Sequence, residues 1–273
     1  MSLPKISVIT PTLNRAAYLE QTILSVLSQK YPNLEYLVID GGSTDETLNI
    51  LQRYSDHLRY VSEKDQGQSD ALNKGLRLVS GDVIAYLNAD DEYEPNALLR
   101  VGQFFAENPQ AEWVSGKCRI INELGQEILK PVTVYKNLLL ATKSRLLLLI
   151  VNYLSQPATF WRRSVVESVG LFDLNLFAVM DYDYWLRISK EFRLYVIPEY
   201  LARFRIHSTS KTFVSALDDL DEEFNMVSRY TQSKLFLSLH RLQRFLIIQG
   251  YRLLNRRNLF QVNVDRPPTP HQR

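Results

Sequence analysis

Four short apolar runs follow one another through the N-terminal part of the chain, each closed by a polar cluster, with helical periodicity in the gaps. Lys5 to Thr10 (KISVIT) and Leu34 to Asp40 (LEYLVID) are the first two, and β-branched runs of this length suit buried parallel strands. Between them Leu19, Ile23, Val26 and Leu27 recur at helical spacing, which makes a βαβ unit. Ser43 and Glu46 stand in capping-box spacing and predict a second helix reaching about Ser55, before a third strand from Leu58 to Ser62. A helix from Ser69 to Val79 ends at Ser80-Gly81, a fourth strand follows from Asp82 to Asn88 (DVIAYLN), and Pro95 opens a helix reaching about Asn108. This alternation predicts an α/β fold with a mostly parallel central sheet flanked by helices. Its ligands belong at the carboxyl ends of the strands, here Thr10 to Arg15, Asp40 to Ser43, Glu63 to Asp70 and Asn88 to Glu92.

Beyond Ala111 the rhythm changes. A hairpin turns near Glu123-Leu124-Gly125, a leucine-rich helical segment follows, and Ala158 to Arg162 reads as another strand. After Arg205 the pattern is helical, with acidic Asp218 to Glu223, then a basic apolar segment from Lys234 to Asn258, then a proline-containing tail from Val264 to Arg273. The expected partition is a catalytic domain over 1–212, divided into a ligand-binding half (1–110) and an acceptor half (111–212), a helical C-terminal extension over 213–262 and a flexible tail over 263–273. Charge excludes one class: 32 lysines and arginines against 30 aspartates and glutamates give no global attraction for nucleic acid. The single cysteine, Cys118, forms no intramolecular disulfide, and no zinc-site spacing is present. With no room for a signal peptide before the first strand, a cytoplasmic location is expected.

Asn88, Asp90 and Asp91 stand where such a sheet opens toward a ligand. Hard divalent cations take oxygen ligands and share them with substrate phosphates, so Mg²⁺ or Mn²⁺ is the cation expected here. A solvated acidic turn running on through Glu92 and Glu94 is the competing reading. What favours the site is its company: Asp40-Gly41-Gly42-Ser43-Thr44-Asp45 joins a carboxylate to glycines ahead of a helix start, and Asp65 to Gly75 adds a second polar loop and helix start. The first strand ends in Thr10-Pro11-Thr12-Leu13-Asn14-Arg15, without the glycines of a dinucleotide fingerprint or a P-loop. A nucleotide held here is gripped by side chains such as Asp40 and by loop backbone. Arg203, Arg205 and His207 alternate on ARFRIH and share one side of a strand. They could approach a diphosphate or, for His207, the metal; an exposed strand face is the alternative.

With these motifs in order, the sequence resembles glycosyltransferase family 2, whose members have the GT-A fold. The resemblance rests on SVITPTLNR (Ser7 to Arg15), IDGGSTDET (Ile39 to Thr47), SEKDQGQSDALNKGL (Ser62 to Leu76), GDVIAYLNADD (Gly81 to Asp91) and GLFDLNLFAVMDYDYWLR (Gly170 to Arg187). It implies an inverting, metal-assisted transfer of a sugar from a nucleoside diphosphate sugar, a UDP-sugar being the first expectation, to a hydroxyl of a glycan or lipid-linked oligosaccharide. By this resemblance Pro11, Thr12 and Asn14 lie along the nucleotide, Asp40 meets the base or ribose, and Asp65, Ala71 and Asn73 line the base pocket. Asn88-Ala89-Asp90 takes the place of the family's Asp-X-Asp motif, which makes Asp90 the principal metal ligand, with Asn88 in place of the first aspartate. Asp181 corresponds to the catalytic aspartate, Met180 standing where glutamate is frequent. An inverting transfer needs such a carboxylate facing the acceptor hydroxyl. A helix N-cap is the other use of Asp181, and Asp183 competes for both roles. Gln156 is placed near donor or acceptor sugar, or else in a strand-entry hydrogen bond.

Lys234 to Asn258 carries Lys234, Arg241, Arg244, Arg252, Arg256 and Arg257 among large apolar side chains and no acidic residue, a pattern suited to peripheral contact with an anionic membrane. Packing against the catalytic domain, or against a second copy in a homo-oligomer, competes with it. Two other functions stay open from sequence: a noncatalytic sugar-nucleotide-binding or membrane scaffold protein, and a nucleotidyltransferase, which would need a glycine-rich, arginine-containing phosphate loop after the first strand.

Overall fold

Side chains on both faces of Ile6–Thr12 (β1) and most of those on Leu34–Asp40 (β2) are buried, and the two strands pair in parallel with Thr12 opposite Asp40. The structure, a computed structural model, describes residues 2–208, 210 and 220–256. Arg59–Ser62 (β3) adds to β2 with Ser62 opposite Asp40, and Val83–Tyr86 (β4) adds to β1 with Tyr86 opposite Ile9. Ala16–Leu27 (α1), Thr47–Arg53 (α2) and Gln68–Leu78 (α3) make the crossovers. All four strands run the same way, so their polar ends share one edge.

The later strands break this regularity. Glu92–Tyr93 (β5), Ala97–Glu107 (α4), Trp113–Ile121 (β6), Glu127–Ile128 (β7), Lys130–Thr142 (α5), Arg145–Leu148 (α6), Thr159–Arg162 (β8), Arg163–Val169 (α7), Met180–Glu191 (α8) and Leu194–Arg205 (β9) follow in order. Among the described residues the sheet has nine strands, ordered β3-β2-β1-β4-β8-β6-β9-β5 with β7 paired to β6. The parallel arrangement holds from β3 to β4 and again between β6 and β9. β8 enters antiparallel between β4 and β6, and β5 pairs antiparallel to β9, Glu92 opposite Arg203. That last pairing carries the end of β9 to the segment that follows β4.

Two apolar clusters fill the faces of this sheet. Ile9, Leu37, Ile39, Ile84 and Trp161 look into one, and their neighbours Val8, Val38, Val83 and Phe160 into the other. The first holds all three tryptophans: Trp113 stacks on Trp185 at 6.1 Å, and Trp161 meets Trp185 edge-on at 5.5 Å. Tyr184 then stacks on Phe172 at 4.2 Å. Such pairs contribute about 0.5–1.5 kcal/mol each beyond their burial, so α8 is held rigidly against the sheet.

Leu220–Ser228 (α9) and Lys234–Arg256 (α10) form the C-terminal extension, and they pack onto the domain. Met226 and Val227 are buried in the first cluster. Glu222 accepts from the Phe177 and Ala178 amides at 2.6 and 2.9 Å, and His240 Nδ1 lies 2.9 Å from the Ile150 carbonyl. The expected boundaries near 212 and 262, Asp218, Asp219, Arg257, Asn258 and the tail from Val264 to Arg273 lie outside the described residues. Three local expectations change. Ser43 caps no helix: its hydroxyl donates to Asp40 Oδ1 at 2.5 Å, and α2 begins at Thr47 after Glu46. Pro95 stands outside α4, which starts after Asn96 in the left-handed region (φ 63°). α8 begins at Met180, so Asp181 lies inside its first turn and is not its N-cap.

Candidate functional site

Thr12, Asp40 and Ser62 form a row at the open edge of the parallel strands. Asp40 is fully buried, and its carboxylate accepts from the Gly42 and Ser43 amides (3.2 and 3.1 Å) and from the Ser43 and Ser62 hydroxyls (2.5 and 2.7 Å). Enclosed in this way, Asp40 shapes the loop that follows β2. Asn14, exposed and in the left-handed region (φ 51°), accepts from the Thr44 amide at 2.8 Å and donates its own amide to Ser43 Oγ at 2.8 Å. These bonds join the loops after β1 and β2. Beside them Pro11 and Thr12 are buried, and Thr12 Oγ1 has no hydrogen-bond partner.

Asp65 leans on the glycine after Asp40: a Cβ at Gly41 would come within 2.6 Å of Asp65 Oδ2. Asp65 Oδ1 accepts from the Gly67 amide at 2.8 Å. Burial foremost, with Asp70 and Asp40 adding repulsion, raises its pKa against the pull of the Gly67 amide and Lys74. Ala71 and Asn73 turn away from this loop. Ala71 lies in the apolar core at 1% exposure, and Asn73 exchanges two 2.9 Å hydrogen bonds with the backbone of Phe172. A helix presents successive side chains to different sides, and these two face the sheet and the α7–α8 connection.

The segment after β4 is the centre of the site. Asn88 accepts from Gln68 Nε2 at 2.7 Å and donates to Asp91 Oδ2 and Gln156 Oε1 at 3.3 and 3.2 Å, while Gln156 Nε2 donates to the Tyr86 carbonyl at 2.6 Å. Asp91 is completely buried and accepts from the Arg205 amide at 2.8 Å. Burial first, and Asp90 second, push its pKa well above the usual carboxylate range. Asp90 is the accessible one, its side chain 16% exposed with Oδ2 at 2.9 Å from His207 Nε2 and 3.9 Å from Arg15 Nε.

Arg205 holds this arrangement from behind. At 1% exposure it donates to the carbonyls of Asp90, Asn122 and Glu123 at 2.8, 3.0 and 3.1 Å and to Gln21 Oε1 at 3.0 Å, and it pairs with Glu92. The N–H groups of its guanidinium are all engaged in these bonds. Arg203 is engaged by Glu94 at 2.9 Å and Glu92 at 3.6 Å. The side chains that do reach Asp90 are His207, whose ring lies tilted against Tyr18 at 4.6 Å, and Arg15. No group of three or more acidic, histidine or cysteine side chains suited to a metal occurs among the described residues. The pair Asp90 and His207 still fits a divalent ion of the Mn²⁺ kind, which accepts carboxylate and imidazole together and takes other ligands from phosphates and water.

The two aspartates of α8 separate cleanly. Asp183 is buried, paired with Arg187 at 2.9 Å and accepting from Tyr230 OH at 2.5 Å. Asp181 is half-buried in the first turn, where the helix dipole favours an ionised carboxylate. Next to it Met180 Sδ accepts from Ser69 Oγ at 2.9 Å, one residue along α3 from the Gln68 that holds Asn88. Lys136 of α5 donates to the Leu154 carbonyl at 3.1 Å. Burial lowers its pKa, with Cys118 and Asp181 opposing. Sequence reasoning assigned no role to Arg15, Tyr18 or Lys136. Arg15 had a signal, its place in the first strand-end cluster; the two helical residues had none.

Residues 7–170 match the family model described as glycosyl transferase family 2. An uncharacterised glycosyltransferase of Rickettsia prowazekii is 30% identical over 80% of this chain and 69% of its own length. A PGL/p-HBAD biosynthesis glycosyltransferase of Mycobacterium tuberculosis is 32% identical over 68% and 70%. Among solved structures, the mannosyltransferase PcManGT of Pyrobaculum calidifontis in complex with GDP-Man and Mn²⁺ superposes with a TM-score of 0.67 at 20% identity, covering 90% of this chain and 70% of that one. S. aureus TarS 1-349 in complex with UDP-GlcNAc gives 0.63 at 18%, covering 83% and 66%; of the longer TarS chain this one spans 42%.

Proposed function

The chain belongs to glycosyl transferase family 2, and from that premise we propose that this glycosyltransferase moves a sugar from a nucleoside diphosphate sugar to an acceptor hydroxyl with inversion, Asp181 acting as general base. One observation carries the reading. Gln68 and Ser69, adjacent at the start of α3, tie the Asn88–Asp91 segment and the Met180–Asp181 turn to a single helix end, so a metal-binding pair and a half-buried carboxylate adjoin. In the reaction the acceptor oxygen attacks the anomeric carbon from the face opposite the diphosphate, its proton passes to Asp181, and the bond to the phosphate oxygen breaks. Asp90 and His207 would hold Mg²⁺ or Mn²⁺, which supplies neutralisation of the leaving diphosphate. Arg15 adds a second positive charge beside Asp90, and Gln156, Asn88 and Arg205 keep Asp90 in place.

On the nucleotide side, we assign Thr12, Asn14 and Asp65, at the ends of β1 and β3, to the nucleotide, with Asp40 and Gly41 shaping the loop beside them. Neighbours of the same fold are described with UDP, UDP-GlcNAc and GDP-Man, which supports a nucleotide-sugar donor, a UDP-sugar being the first choice. For the acceptor we favour a membrane-borne glycan. No helix among the described residues is long and apolar enough to cross a membrane, but α10 leaves Leu235, Leu242, Phe245 and Leu246 exposed beside Lys234 and Arg241. Its inner face is engaged, His240 on Ile150 and Arg244 on Glu223 at 2.9 Å. The deciding experiment is nucleoside diphosphate release from a panel of UDP- and GDP-sugars with Mn²⁺, Mg²⁺ or excess chelator. Metal-dependent release from one donor is expected; release that is equal with chelator removes the metal from the reading, and no release from any donor in any metal removes the transfer.

A further inference from the structure

The outer face of α5 and α6 is unlike an ordinary solvated surface. From Ile128 to Val166 the sequence has no acidic side chain. Lys130, Lys143 and Arg145 are exposed there, and so are Val134 at 54%, Tyr135 at 44%, Leu138 at 66% and Leu146 at 57%. At about 100° per residue, Val134, Tyr135 and Leu138 fall within one face of α5. Lys136 lies roughly 200° from Val134 and turns inward, to the Leu154 carbonyl. One helix thus offers an apolar, basic-flanked face to the outside and a buried ammonium to the interior.

Solvated helices mix charges of both signs, whereas large apolar side chains flanked by basic ones only suit the boundary of an anionic bilayer, where an aromatic such as Tyr135 also sits well. The same bilayer suits α10, and the two share a support. Phe236 and Leu237 of α10 pack in the cluster that holds Leu140 of α5 and Leu147 and Leu148 of α6. We propose that the outer face of α5 and α6 is a second lipid-contacting surface, which with α10 docks the protein on an anionic membrane and brings membrane-borne acceptors to the site. The inference rests on the membrane-borne acceptor proposed above.

Flotation with vesicles of phosphatidylcholine alone and of phosphatidylcholine mixed with phosphatidylglycerol tests this, using the full chain, Leu138→Glu/Leu146→Glu and Leu239→Glu/Leu242→Glu. The full chain is expected to float with the anionic vesicles only, and Leu138→Glu/Leu146→Glu to reduce the bound fraction roughly tenfold. That variant should keep its thermal midpoint and its lipid-free donor hydrolysis. If it floats like the parent while Leu239→Glu/Leu242→Glu is released, α10 alone meets the membrane and the proposal is overturned. If the parent floats with neither vesicle, the membrane-borne acceptor reading falls as well. Loss of lipid-free hydrolysis or of thermal stability in Leu138→Glu/Leu146→Glu would make the face part of the folded site. A dimeric parent that this variant renders monomeric would make it a contact between copies. Either result overturns lipid binding.

Discussion

Asp181 and Asp183 stand two positions apart on α8, yet their surroundings give them opposite tasks. Asp183 is enclosed by Arg187 and Tyr230, so Asp183→Asn should cost about 2 kcal/mol of stability, measured by denaturant unfolding, and leave the transfer rate per folded molecule nearly intact. Asp181→Asn keeps the size and one oxygen of the side chain but removes the proton acceptor. We expect transfer to fall roughly 10²- to 10⁴-fold with donor affinity and thermal midpoint unchanged. The reverse pattern would move the base to Asp183. Asn88 invites a second substitution, because Asn88→Asp restores the family's motif. Here the change should harm: Asn88 Nδ2 donates to the buried Asp91 and to Gln156, and a carboxylate in its place would face two acceptors. A loss of about 1–3 kcal/mol is expected, with no gain in Mn²⁺ affinity. Tighter Mn²⁺ binding at full stability, read by titration and unfolding together, would show that the network can rearrange to admit a second carboxylate.

The helices and strands also show where local pattern informs and where it does not. β2 was legible to the residue, and β1, β3 and α3 to within two, because buried parallel strands and the amphipathic helices between them carry their periods in the sequence. β9 was read only at its ARFRIH end, although it runs from Leu194, and the two-residue β5 left no period to detect. Both are defined by partners far along the chain, β9 by β6 and β5 by β9. The helix-start signal at Ser43 misled for a related reason: a side chain that matches a cap can be claimed by something closer, as Ser43 is by Asp40. The docking of α10 yields a pH prediction. Burial first, then Arg244, lowers the pKa of His240, against its hydrogen bond to Ile150. A folded-state pKa below the ordinary value near 6.5 means that the unfolded chain binds the proton more readily. Stability should therefore decline as pH falls through about 6.5 toward the depressed folded value. Thermal midpoints of the parent and His240→Gln between pH 5 and 8 check this, the variant being expected to show the shallower dependence. Parallel curves would mean that His240 does not report the docking.

Taken as a whole, the molecule builds its site from segments that only the sheet brings together: Asp90 follows β4, His207 follows β9, and the loops after β1 and β2 are joined through Asn14 and Ser43. A ligand that bridges such segments binds the folded chain and not the unfolded one, so its binding energy adds to stability. At a hundred times Kd the gain is about 2.7 kcal/mol, and a catalytic domain of this size moves its midpoint by roughly 2–4 °C for each kcal/mol. Nucleoside diphosphate with Mn²⁺ should thus raise the midpoint by roughly 5–10 °C. The nucleotide alone should raise it less, because Asp90 and His207 would then lack the ion that joins them to the phosphates. In Asp90→Ala the increment from Mn²⁺ should vanish while the increment from nucleotide alone remains. Comparing UDP with GDP tests the assignment of the base to the loop around Asp65 and Gly41, since the diphosphates are the same. Equal shifts with UDP and GDP would assign recognition to the diphosphate and take the base-binding role from that loop. A Mn²⁺ increment that survives in Asp90→Ala would place the ion elsewhere and dissolve the pairing of Asp90 with His207 on which the proposed metal site stands.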